Sequence, residues 1–504
     1  MELFGFDLLN LFTFETISAI LFGTFAGLLI GAIPGLGSTV TVVLLLPFTF
    51  AMDPLASILL LLAAFQGSEY GGSISAIVIG IPGTPSAAPT VLDGHSLAKK
   101  SSPGHALAYS LIASSIGGLA GGLMLLFFSV PLADFALNLS DPEFFLVALI
   151  GLIVVGGLSS RDVTKSMISV VLGLMAGTVG VDILTSAPRF TLGQNELMEG
   201  LDLIAVLVGV FAFSQIFIMI SEELNVNYIT DVKGLKTKIT LKEFRGVAKP
   251  IGIGSITGAI VGLIPGMGAG PSSWFAYTFV KKASKRKSKF GKGNPEGIAG
   301  PEAANNATVG GSMLPMLTLG IPASPAIAII MGAFIIHGIQ PGPSLFASDT
   351  DLVYGIFYGF LFTTISMFIL GKLVTPLFSR VLTVPNHYLI PIILILALTG
   401  AFVSNYLIFD LWVALLIGVA FYFLLKLDFS LPSFILAFIL SPIVEESLRR
   451  SLLISDGDYL IFLTRPFSLV LVILILLIII VISYTSLRKG YKRKHNDDET
   501  ASGT

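Results

Sequence analysis

The chain has 504 residues, of which 54% are hydrophobic and only 12% charged, about half the roughly 25% found in soluble domains. Mean hydropathy is +0.90, and the apolar residues come in blocks near the ~20 that cross a bilayer, which marks an all-α polytopic membrane protein. A net charge of −2 excludes a broad nucleic-acid surface, and the absence of cysteine excludes disulfides, thiolate metal sites and cysteine nucleophiles.

The opening MELFGFDLLNLFTFE has no basic n-region and no small-residue cleavage site, so no cleaved leader is expected. Gly23–Ser38 reads GTFAGLLIGAIPGLGS. Its glycines at 23, 27 and 31 line one helix face and suit close packing. In Pro34-Gly35-Leu36-Gly37 the proline removes a donor and the glycines free backbone N–H and C=O groups. Such backbone survives at membrane depth only when buried in protein or lining a wet cavity. Ser38 and Thr39 follow with hydroxyls. Glu69 lies in FQGSEYGGS between apolar runs, and Gly80-Ile81-Pro82-Gly83-Thr84-Pro85 then interrupts a helix. Single crossings are expected near 105–129, 142–158, 166–181 and 202–220.

The basic stretch 222–249 precedes a second set of the same features. Gly254–Ala269 reads GSITGAIVGLIPGMGA, with Pro265, Gly266 and Gly268 in the second PGxG turn. Glu302 is followed by Asn305 and Asn306 on the same helical face. Gly320-Ile321-Pro322-Ala323-Ser324-Pro325 is a second break. Crossings are expected near 352–373, 388–403, 406–425, 430–444 and 467–486. The last is followed by Arg488, Lys489, Lys492, Arg493 and Lys494.

The sequence therefore contains itself twice. Gly23–Ser38 and Gly254–Ala269 agree at Gly23/Gly254, Gly27/Gly258, Gly31/Gly262, Ile33/Ile264, Pro34/Pro265, Gly35/Gly266 and Gly37/Gly268. GGSISAIVIGIPGTP (71–85) corresponds to GGSMLPMLTLGIPASP (310–325) with one residue inserted. The loops that follow carry opposite charge. After the first turn stands only Asp53, against a loop Lys281–Lys292 with seven basic residues and no acid. After the breaks stand Lys99 and Lys100, against Asp349 and Asp351. Asp134, Asp141 and Glu143 fall outside, and Arg161 and Lys165 inside. By the positive-inside rule the copies have inverted topology. Each is expected to hold one helical hairpin with a PGxG turn plus about five crossings, with an extra C-terminal span. The expected division is repeat one over 1–222, a cytoplasmic linker 223–249, repeat two over 250–445, a C-terminal loop and transmembrane helix over 446–487, and a basic-then-acidic cytoplasmic tail 488–504.

Sites in such proteins sit near the midplane where repeats meet. The expected substrate-binding residues are Pro34, Gly35, Gly37, Ser38, Thr39, Pro82, Gly83, Thr84, Pro265, Gly266, Gly268, Pro322 and Ser324. Freed amides, hydroxyls and broken-helix dipoles there could hold a carboxylate. Glu69, Glu302, Asn305 and Asn306 are the expected ion-coupling residues, because an ionisable group at membrane depth usually marks an ion or substrate path. Their oxygens suit Na⁺, and a glutamate alone could take H⁺. No other cofactor and no resident metal are expected, since the five histidines are scattered and no HExxH occurs.

At these residues the chain resembles the large membrane subunit of the tripartite tricarboxylate transporters, the TctA permeases. The resemblance rests on GAIPGLGS, GSEYGGSISAIVIGIPGTPSAAPTVLDGH, PEAANNATVGGSMLPMLTLGIPASPAIAIIMGAFIIHGIQPGP and SPIVEESLRRSL, spread over about residues 20 to 455. It implies ion-gradient-driven uptake of small, citrate-like carboxylates at the cell membrane. It also implies a small four-span membrane subunit (TctB-like) and an extracytoplasmic substrate-binding protein (TctC-like) as partners. A stand-alone Na⁺- or H⁺-coupled carboxylate symporter and a channel are the alternatives. An intramembrane enzyme would want a nucleophile or a His/Asp constellation at depth, and a Glu beside two Asn is a poor catalytic set.

Overall fold

The computed structural model describes residues 11–158, 162–182, 184–221, 238–374 and 386–502, with two further short strands at Glu2–Leu3 and Phe6–Asp7. Arg161 and residues 222–237 of the basic stretch lie outside the described residues, as do the side chains of Arg488–Lys494.

The first quarter of the chain forms α1 (Phe14–Gly31), α2 (Gly37–Thr49), α3 (Pro54–Val78) and α4 (Ala88–Lys100). Each start has a local cause. Thr13 Oγ1 accepts from the Thr16 N–H at 3.1 Å. Asp53 caps α3 ahead of Pro54, whose missing N–H costs nothing at a first helical position. Then come α5 (Pro103–Ala136), α6 (Asp141–Leu158), α7 (Val163–Gly177) and α8 (Leu203–Ser221). A small antiparallel strand pair, Gly180–Val181 with Pro188–Arg189, lies between α7 and α8. Helix α8 is π-helical over Val208–Phe213.

The second half contains α9 (Leu241–Gly262), α10 (Ala269–Ala283), α11 (Glu296–Leu319), α12 (Pro325–Ile336), α13 (Thr350–Val374), α14 (Asn386–Val403), α15 (Ile408–Lys426), α16 (Leu431–Ile454) and α17 (Pro466–Ser502). Each expected crossing overlaps one of these helices or those of the first half, although the one expected at 166–181 ends as a helix at Gly177 and passes into strand at Gly180–Val181. Two boundaries differ. Helix α9 begins at Leu241, inside the expected linker, because Thr240 and Glu243 form a reciprocal capping box. Helix α16 continues past 445 to Ile454, so SPIVEESLRRSL is helical and no loop opens at 446. Among the described residues, seven helices are long and apolar enough to cross a membrane. The outermost is α17, whose Leu469, Val470, Ile473, Leu476, Leu477 and Ile480 are exposed. An apolar face of that kind suits lipid.

Helices α3 and α11 form the centre. Every residue from Ala56 to Val78 and from Gly297 to Thr318 is buried, as expected of helices enclosed on all sides. They run antiparallel: Asn305 meets Glu69 while Glu302 meets Ser73. The glycine stripes pack on them as the spacing predicts. A Cβ at Gly23, Gly27 or Gly31 would stand 2.2–2.3 Å from the carbonyl oxygens of Leu60, Ala64 and Ser68. One at Gly254 or Gly258 would stand 2.1–2.2 Å from those of Gly300 and Ala304. Only glycine allows this backbone approach of α1 to α3 and of α9 to α11.

The two ends of the bundle differ in charge. At one end His105 Nε2 lies 3.0 Å from Glu243 Oε1, and Lys100 Nζ donates to the Lys292 carbonyl at 2.6 Å. The Lys281–Lys292 loop belongs to this end. At the other, the Asp53 N–H donates to Glu15 Oε1 at 2.8 Å, and Glu15, Asp53, Asp349 and Asp351 line one cavity. Helix α17 starts at the acidic end, where Arg465 Nε donates to Glu143 at 2.8 Å. It runs along α6 until Ile482 meets Gly157.

Candidate functional site

Four chain breaks converge. Between α1 and α2 the backbone turns with Gly35 at φ 95° and Gly37 at φ 68°; between α9 and α10 it turns with Gly266 at φ 81° and Gly268 at φ 60°. These φ values favour glycine. The other two breaks lead from α3 to α4 and from α11 to α12. The Gly83 N–H donates back to the Gly72 carbonyl at 3.1 Å, and the Gly266 N–H donates to the Ala323 carbonyl at 2.9 Å. Gly83 is also sterically required, since a Cβ there would come 2.1 Å from the Gly31 oxygen.

All four breaks border a single cavity of about 660 Å³. Of the residues expected at a substrate site, Gly35, Gly37, Ser38, Thr39, Pro82, Gly83, Thr84, Gly266, Gly268 and Ser324 line it. Pro34, Pro265 and Pro322 shape the turns without lining the cavity. Its wall includes the first residues of α2 (Ser38, Thr39), α10 (Gly270, Pro271) and α12 (Pro325, Ala326), together with Pro85 and Ser86 of the 3₁₀ turn before α4. Helix N-termini present unpaired N–H groups and about half a positive charge each. Among the described residues no Lys, Arg or His lines the cavity, and Glu69 is the one ionisable lining residue.

Glu69 is 2% exposed and Glu302 wholly buried. Both sit within the fully buried stretches of the two central helices, α3 and α11. Ser86 Oγ donates to the Glu69 carboxylate. Glu302 lies outside the cavity, in a nest of hydroxyls: Ser73 and Thr90 at 2.5 Å, Ser114 at 3.0 Å and Ser110 at 3.2 Å. The asparagines do not complete that nest by hydrogen bonding. Asn305 Nδ2 donates to the Glu69 carbonyl at 3.2 Å, while both side-chain amide atoms of Asn306 are buried without a hydrogen-bond partner.

Several contributors escape the sequence reading. Ser73, Thr90, Ser110 and Ser114 come from three different helices, and no spacing links them to residue 302. Ser214 and Gln215 reach the cavity from α8 just after its π-helical turn, a distortion that often marks function. A polar Ser-Gln pair inside an apolar span was the available signal.

The sequence profile of the tripartite tricarboxylate transporter TctA family matches residues 17–436. The chain belongs to the TctA family. TctA proteins are components of transport systems, and this one is a multi-pass membrane transporter component rather than a member of an enzyme family. A relative from Agrobacterium vitis, described as an uncharacterized 52.8 kDa protein in TAR-I ttuC' 3'region, is 38% identical over 435 residues, 86% of each chain. A second from the same organism, described as an uncharacterized protein in TAR-II ttuC' 3'region, is 39% identical over 211 residues, 42% of this chain and 87% of its own. No solved structure matches the chain significantly.

Proposed function

We propose that this TctA chain is the permease subunit of an ion-gradient-driven uptake system for small carboxylates such as tricarboxylates. It receives its substrate from an extracytoplasmic binding protein and works beside a small four-span membrane subunit. The cavity where three helix starts and the Pro85–Ala87 turn meet carries this reading. An anion of two or three charges needs compensation at depth. The N-termini of α2, α10 and α12 together offer about one and a half positive charges, with hydroxyls from Ser38, Thr39, Thr84 and Ser324 as further donors. Withholding Lys and Arg keeps the anion from binding too tightly to leave. Glu69 in the wall would repel the anion unless a cation or proton accompanies it, which makes Na⁺ or H⁺ co-transport a natural consequence.

The two halves work, on this reading, as inverted repeats: residues 1–222 and 250–445 joined by a cytoplasmic linker. The antiparallel α3 and α11, the matching glycine stripes and the two pairs of turns facing one cavity support it. The basic end, with the C-terminal tail, faces the cytoplasm of a cell-membrane protein, by the positive-inside rule.

Reconstituting the chain with its two partners in proteoliposomes tests the proposal. Labelled citrate uptake should saturate and collapse when the cation gradient is dissipated. Flux that rises linearly with citrate and ignores the gradient would instead assign a channel.

A further inference from the structure

The nest around Glu302 is unlike an ordinary buried acid. A carboxylate enclosed without a cation is costly, and removing its charge partner typically costs several kcal/mol. Among the described residues no Lys, Arg or His touches Glu302; its partners are four hydroxyls from three other helices, Ser73 on α3, Thr90 on α4, and Ser110 and Ser114 on α5. Its ionisable neighbour is Glu69, another acid. One helical turn beyond, on the same face of α11, stands Asn306 with its amide oxygen and nitrogen unpartnered.

A proton would need only one of these oxygens. Four hydroxyls retain lone pairs after donating, and oxygen ligands gathered in this number suit a hard cation. The charge count selects its valence. One carboxylate and four neutral hydroxyls sum to a single negative charge, which a monovalent ion cancels. Mg²⁺ or Ca²⁺ would leave a net positive charge in the nest, which only Glu69, on the wall of the carboxylate cavity, could offset.

A short segment ties this nest to the cavity. Thr84 Oγ1 lies 2.8 Å from Ser86 Oγ, Ser86 donates to Glu69, and Thr90, four residues later, donates to Glu302. Thr84, Ser86 and Glu69 line the cavity, whereas Thr90 belongs to the nest. Glu69 and Ser73, four apart on α3, divide in the same way.

We propose that Glu302 with Ser73, Thr90, Ser110 and Ser114 forms an occluded Na⁺ site, and that the Thr84–Thr90 segment couples its occupancy to the carboxylate cavity. The coupling rests on the transport reading above; the ion site does not. Filling the nest draws Thr90 toward the ion and resets Ser86 and Thr84 one turn away. Linkage then requires that substrate raise Na⁺ affinity by the factor by which Na⁺ raises substrate affinity.

The test uses the full chain in detergent, with choline chloride holding ionic strength constant. Na⁺ should raise the melting temperature saturably, and K⁺ or Mg²⁺ at equal concentration should not. Glu302→Gln should abolish the Na⁺ response. Because that variant could fail to fold, Ser110→Ala/Ser114→Ala keeps the charge and removes two oxygens; its half-saturating Na⁺ should rise about ten-fold or more. Ser86→Ala should keep the Na⁺-dependent melting shift, yet in proteoliposomes lose the Na⁺ dependence of the KM for citrate. The ion site is overturned by a wild-type chain indifferent to Na⁺, by a melting shift that follows pH alone, or by wild-type Na⁺ titration in both nest variants. Full Na⁺ dependence of KM in Ser86→Ala overturns the coupling route. Failure of all citrate uptake beside an intact Na⁺ shift would overturn the transport reading and leave the site standing.

Discussion

Two glycines on the same helix should respond in opposite ways to one added methyl group. On α9, Gly252 is exposed and a Cβ there would meet nothing within 4 Å; at Gly258 it would lie 2.2 Å from the Ala304 oxygen and 2.8 Å from the Ala304 Cα. Those atoms are backbone of the fully buried α11 and cannot rotate away. For Gly258→Ala, α9 must move off by about 1 Å to restore ordinary contact, which strips van der Waals attraction along the whole stripe. Overpacking of this kind costs about 3 kcal/mol, the upper part of its usual range. Gly252→Ala gains helix propensity instead, about 1 kcal/mol. Thermal melting in detergent should therefore separate the two variants by several degrees, with Gly258→Ala below wild type and Gly252→Ala at or above it. Because α9 leads directly into the turn holding Gly266 and Gly268, Gly258→Ala should also raise the KM for citrate. Coincident melting curves for the two variants would refute the packing argument.

Single cysteines at Ser284 and Ser348 should label from opposite sides of the membrane with an impermeant maleimide, since these positions lie at opposite ends of the bundle. Gly268→Ala should reduce uptake although its Cβ meets only Ser324 Cβ at 3.8 Å, because φ 60° with ψ −172° is reserved for glycine and strain there costs about 1–3 kcal/mol; uptake at the wild-type rate would count against it. Gln215→Glu adds a second acid to the cavity and should raise the KM for citrate more steeply than Gln215→Leu does. On the loop between α7 and α8, N–H donation from Thr185, with support from the Arg449 guanidinium and the Leu184 N–H, holds the Asp182 carboxyl well below its ordinary range. A depressed acid stabilises at every pH above its unfolded value, about 3.9, and that contribution fades as pH falls towards the folded value. Hydrogen-exchange protection factors of residues 184–200, taken against the intrinsic rate at each pH, should therefore hold from pH 8 to 5 and fall only in stronger acid, whereas Asp182→Asn should show low protection throughout.

Hydropathy alone determined most of the architecture, because a segment that crosses lipid must be about twenty apolar residues long wherever it packs. The long apolar helices α5, α8, α13, α15, α16 and α17 were legible for that reason. Glycines at 23, 27 and 31 announced close approach, since an added Cβ is excluded by sterics whichever partner lies opposite. The PGxG and Ile-Pro breaks were visible as local backbone chemistry. Their meeting at one cavity was not, because it depends on α3 and α11 lying antiparallel at the centre. Glu302 illustrates the limit most clearly. Its charge and depth could be read from neighbouring residues, and Asn305 and Asn306 seemed its natural companions on a helix face. Tertiary packing instead surrounded it with Ser73, Thr90, Ser110 and Ser114, up to 229 residues away, and turned Asn305 to the Glu69 carbonyl. Serine and threonine are so common in packed helices that no spacing singles these four out. Only the approach of three helices to a fourth gives them a shared carboxylate.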